Sequence, residues 1–99
     1  MNTNTQPKAK FPYTMHTTAM MEHSHGIAWT ADLYCGTVKV GIVEQMGDGG
    51  CDRVLLNNIG YRTHWKAAVA SAFGGDEEAA TYWLLLQEEA HSMFGDANA

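Results

Sequence analysis

The sequence predicts an α+β domain: an antiparallel sheet of three or four strands in meander order, with two C-terminal helices packed on one face. Three observations lead there. Residues 27–46 alternate apolar and polar side chains, the period of a strand. From residue 63 onward the spacing becomes helical. The chain has 99 residues, the size of one domain, and a 45% hydrophobic fraction that can fill one core.

In chain order, residues 1–10 are polar and read as a flexible arm, 11–95 as the domain, and 96–99 as a flexible tail. From Phe11 to Met21, Tyr13, Met15, Thr17, Ala19 and Met21 alternate with Thr14, His16, Thr18 and Met20, a weaker strand pattern. The strongest one follows, with Ile27, Trp29, Ala31, Leu33 and Cys35 on one face. A two-residue loop at Gly36-Thr37 suits a type II′ turn and sets Cys35 opposite Val38, Leu33 opposite Val40, Ala31 opposite Ile42, Trp29 opposite Glu44 and Ile27 opposite Met46. Glu44 is the awkward member of that register, a carboxylate on the apolar face.

Gly47-Asp48-Gly49-Gly50 breaks the sheet, and Arg53–Asn57 returns as the next strand. Asn58–Arg62 reads as a loop. Thr63 is a candidate N-cap for a helix whose stripe is Trp65, Ala68, Val69, Ala72 and Phe73, ended by Gly74-Gly75. Asp76 can cap a second helix over 77–94, with a core stripe of Ala79, Tyr82, Trp83, Leu86, Ala90 and Met93. The expected core is Trp29, Leu33, Val40, Ile42, Trp65, Phe73, Trp83 and Leu86.

Charge supplies the functional signal. All six Lys and Arg (Lys8, Lys10, Lys39, Arg53, Arg62, Lys66) precede residue 67, whereas Asp76, Glu77, Glu78, Glu88, Glu89 and Asp96 follow it. Direct nucleic-acid binding by the helical half is disfavoured, because phosphate contacts need cations. On the helical projection Glu78, Thr81, Leu85, Glu88, Glu89 and Ser92 fall opposite Trp83, so a solvent-facing leucine is ringed by carboxylates. That face suits a basic groove on a partner protein. The same glutamates also suit the plainer roles of helix-dipole stabilisation and surface solubility.

His23, His25 and Cys51 return to one end of the sheet, with Asp48 or Asp52 nearby, and their atom types suit zinc. Their spacing matches no strong zinc motif. Cys35 and Cys51 sit roughly 20 Å apart at strand rise, too far for a disulfide, so two free thiols are expected. Ser24, Ser71 and Ser92 lack a nucleophile context, which argues against an enzyme, and no cofactor is implied. No apolar run approaches the roughly 20 residues of a membrane span, and residues 1–10 carry no secretory pattern, so a cytoplasmic location is expected.

At Leu33-Tyr34, Lys39-Val40-Gly41, Val43 and Gly47-x-Gly49-Gly50-Cys51 the chain resembles small phage and mobile-element proteins. These share a hairpin of the form Leu-Tyr-x-x-Gly-Lys-Lys-Val-x-x-Val before a Gly-rich turn. The resemblance covers Gly26–Val54. Here the loop glycine comes first, as Gly36-Thr37, where the group has Asp-Gly. It implies an origin in a phage or mobile element and, by analogy with anti-CRISPR and anti-restriction proteins, an inhibitor of a host defence enzyme. The expectation is therefore an acidic protein-interaction module in the host cytoplasm that occupies the basic surface of a nucleic-acid-handling enzyme. The alternative is a small metal- or ligand-binding domain on His23, His25 and Cys51. Self-association as a homodimer, through Leu85 or a strand edge, is a third expectation.

Overall fold

The structure, a computed structural model, describes residues 6–24, 26–47, 50 and 52–95, of which 23 and 91–95 are described by backbone alone. Four strands, β1 (Tyr13–His23), β2 (Gly26–Cys35), β3 (Val38–Gln45) and β4 (Arg53–Leu56), form one antiparallel meander in the order β1-β2-β3-β4. Two helices follow, α1 (Ile59–Phe73) and α2 (Glu77–Gly95). The expected α+β class is the observed one.

The β2–β3 turn forms as its glycine requires. Gly36 has φ 64°, and no described non-glycine residue has positive φ, the combination a type II′ turn demands. Beyond Tyr34–Lys39 the register departs from simple arithmetic. Leu33 faces Gly41, Ala31 faces Val43 and Trp29 faces Gln45, because Val40 is an extra residue in a β-bulge. The slip moves Glu44 opposite Thr30, off the helix-covered face, where it lies 3.9 Å from Arg53. Ile42 consequently pairs with Asp32 and Leu55 on the open face and leaves the core. Gly41 is required by close approach: a Cβ there would lie 2.2 Å from the Leu55 carbonyl oxygen.

A second bulge interrupts β1. Thr17 pairs with Ala31 and Ala19 with Thr30, leaving Thr18 as the extra residue. Its hydroxyl donates to the Thr30 carbonyl at 3.1 Å. Alternation reverses past this point, so Met20, opposite Trp29, takes the helix-facing side, and Met21 takes the other face.

Helix α1 begins four residues before Thr63. Asn58 is the N-cap, its side-chain oxygen accepting the Tyr61 N–H at 2.8 Å, so the expected loop 58–62 holds the first helical turn. Thr63 is interior, donating to the Ile59 carbonyl at 2.9 Å. Gly74, at φ 66°, closes the helix, and the Gly75 N–H reaches the Val69 carbonyl at 3.1 Å. Asp76 caps α2 through the Ala79 N–H at 3.1 Å.

The core lies between the helices and one sheet face. Leu33, Val40 and Trp65 are buried as expected, with Trp29, Phe73 and Trp83 packed partly against them. Phe11 stands at the centre, its ring 5.0–6.0 Å from those of Tyr13, Trp65, Phe73 and Trp83. Such ring pairs add about 0.5–1.5 kcal/mol each beyond the area they bury. Residues 1–5, the outer part of the expected arm, and 96–99, the whole of the expected tail, lie outside the described residues. Within the arm, the Lys8 N–H donates to the Ala72 carbonyl at 2.8 Å.

Candidate functional site

Helix α2 has an inward and an outward stripe, and neither is the stripe that hydrophobic spacing predicts. Ala80, Thr81 and Leu84 are buried, at 0%, 0% and 1% exposure, with Glu77 and Glu88 in register above and below them. Tyr82 and Leu86, expected in the core, are 52% and 38% exposed. The rotation is fixed by polar contacts. The Thr81 hydroxyl donates to Asp52 Oδ2 at 2.6 Å, and Asp52 Oδ1 accepts Gln45 Nε2 at 2.6 Å, tying α2 to the β3–β4 connection. Glu77 Oε2 accepts the Trp65 indole N–H at 2.9 Å.

Glu88 makes the most specific of these contacts. Its Oε2 accepts the Thr17 backbone N–H at 2.7 Å, and its Oε1 accepts the Thr17 hydroxyl at 2.8 Å. β1 is an edge strand, and Thr17 precedes its bulge, so the carboxylate takes the place a neighbouring strand's carbonyl would hold. His16 Nδ1 lies 3.9 Å from the same Oε2.

The outward stripe is Glu78, Tyr82, Leu85, Leu86 and Glu89, at steps of four, three, one and three residues along one helical face. It spans about 17 Å at helical rise. Beside it runs a groove of about 560 Å³. Met20, Ile27 and Trp29 form the strand wall and Tyr82, Leu85 and Leu86 the helix wall, with Thr17, Glu88 and Glu89 completing the lining. Met20 joins this wall only because the bulge at Thr18 turns it toward α2. The charged lining residues are both glutamates.

The six residues expected on one partner-binding face are thus divided. Glu78 and Glu89 are exposed, Leu85 is half-buried in the groove wall, and Thr81 and Glu88 turn inward, correcting their placement on the outer face. The side chain of Ser92 lies outside the described residues. So do His25, Cys51 and the side chain of His23, the expected metal ligands, together with Asp48. Among the described residues no group of three or more metal-ligating side chains occurs, and Asp52 is engaged by Gln45 and Thr81. Cys35 is a free thiol, half-buried.

A separate polar pair sits at the turn end of the sheet. Tyr13 Oη and His64 Nδ1 share a 2.5 Å hydrogen bond linking β1 to α1. Burial, reinforced by the neighbouring Cys35, pushes the Tyr13 phenol up to about 12.

Spacing could not reveal the groove, because Leu84, Leu85 and Leu86 are consecutive and offer a leucine to the core at several helix rotations. The available signal was Met20-Met21, two flexible apolar side chains at one end of a strand, where one must leave the core face. Comparison with protein-family models, with curated proteins and with solved structures finds no match for the chain.

Proposed function

We propose that the chain is a small acidic protein-interaction module that docks, through the outward stripe of α2, on a basic surface of another protein. One observation carries the reading: Glu78 and Glu89 stand exposed on the stripe that holds Tyr82 and Leu86, and no described Lys or Arg is ion-paired to either. Lys39 pairs with Asp32 at 3.1 Å, and Arg53 lies 3.9 Å from Glu44, both on the sheet face away from the helices. An apolar strip flanked by unneutralised carboxylates is complementary to an apolar patch flanked by Lys and Arg. Surfaces that handle nucleic acid are rich in such cations, so occupancy there would exclude the phosphate backbone and inhibit the enzyme that owns it. The phage-like hairpin supports a host defence enzyme as that target.

The test is affinity capture from lysate of the producing cell, with the partner identified, its affinity followed against salt, and nucleic acid added as competitor. The expected result is salt-weakened capture that nucleic acid displaces, reduced about tenfold by Glu78→Lys with Glu89→Lys. Capture indifferent to salt, to the charge reversal and to nucleic acid overturns the proposal.

A further inference from the structure

We infer that the groove between α2 and the far end of β1–β2 receives a basic amphipathic segment of the partner, apolar side chains inward and Lys or Arg outward. This rests on the interaction-module reading and adds to it where the contact is made and what fits. The walls supply Met20 and Tyr82, both more than half exposed, with Ile27 and Trp29 beside them, an apolar surface left open at the margin of the sheet face that the helices cover. Two features select the occupant. Both charged lining residues are carboxylates, Glu88 and Glu89, so a bilayer with anionic headgroups is repelled, and a second copy would bring carboxylate against carboxylate. A methionine and two leucines make a wall that adapts to side chains of varied shape, whereas the glutamates impose the sign of the flanking charge.

The experiment uses the full chain, isotopically labelled for NMR, and three synthetic peptides of about 14 residues, four turns of helix. The first has a leucine face and a lysine face, the second replaces its leucines by serine, and the third replaces its lysines by glutamate. The groove reading expects the first to bind at least tenfold tighter than the second, with shifts at Met20, Ile27, Trp29 and Leu86, and the third not to bind. Leu86→Asp, and independently Met20→Gln, should each weaken the first peptide at least tenfold. Ile59→Asp, at an exposed position on α1, should leave it unchanged.

Equal binding of the first two peptides, with shifts confined to the surroundings of Asp76 and Glu78, overturns the groove and leaves the acidic-face reading standing. Absence of binding by both overturns both. Binding of the glutamate peptide as tightly as the lysine peptide refutes the charge selection. Groove shifts that appear with rising protein concentration alone make a second copy the occupant and refute the inference.

Discussion

Replacing Thr81 by Val separates the two possible rotations of α2. The substitution keeps the side chain's shape and β-branching and removes the hydroxyl that donates to Asp52 at 2.6 Å. That hydroxyl has one proton, and the shorter contact takes it in preference to the Glu78 carbonyl at 3.2 Å. A hydrogen bond to a charged acceptor contributes about 1.5–3 kcal/mol, and the half-buried Asp52 keeps Gln45 as a second donor, so about 1.5 kcal/mol is the expected loss. For a domain of this size that lowers Tm by about 6–12 °C. Thermal unfolding followed by circular dichroism reads it directly. A double-mutant cycle with Asp52→Asn should return coupling of about 1 kcal/mol, since the partners touch. A Tm within a degree of the parent's would refute the inward placement of Thr81, because an exposed threonine tolerates valine.

Further outcomes follow from the same contacts. Glu88→Ala should cost about 1–2 kcal/mol by stranding the Thr17 N–H on the sheet edge, whereas Glu89→Ala, one residue on and exposed, should stay within about 0.5 kcal/mol; chemical denaturation measures both. Gly41→Ala should prevent folding or sharply lower solubility, because its Cβ would meet the Leu55 carbonyl oxygen and force β3 from β4; dispersion in an amide NMR spectrum checks it. Spectrophotometric titration should show a phenol ionising near pH 12 that disappears in Tyr13→Phe. Since that folded value lies above the ordinary one of 10.0, the stability it contributes is whole below about pH 10 and is lost as pH rises toward 12, a loss the Phe variant should escape.

The sheet was legible where one face is consistently apolar. Alternation from Ile27 to Met46 and a glycine at the first loop position located the hairpin and its turn to within a residue. Bulges were not legible, since an extra residue at Val40 or Thr18 changes pairing without breaking composition. Glu44 on the apolar face was the local sign that such a slip is needed. Helix α1 was read in its stripe and misjudged in its start, because Asn58 and Thr63 are both competent caps and only tertiary packing chooses between them.

For α2 the misreading has a definite physical origin. Periodicity assigns polar residues outward, yet Thr81 and Glu88 have inward partners on Asp52 and Thr17, far away in sequence. Once these are satisfied, Tyr82 and Leu86 are carried to the surface and the groove is created. The acidic half itself was fully readable, being composition. Which of its carboxylates face outward depended on contacts that no local pattern encodes.

Oxidative footprinting of the chain, free and bound to its captured partner, is the most direct test of where docking occurs. Met20 and Met21 are neighbours, each 63% exposed, on opposite faces of the sheet. Protection of Met20 and Tyr82, with Met21 and Tyr34 still reactive, is the result expected for a partner seated against α2. Protection of Met21 and Tyr34 with Met20 and Tyr82 unchanged would place the partner on the open sheet face and contradict the account.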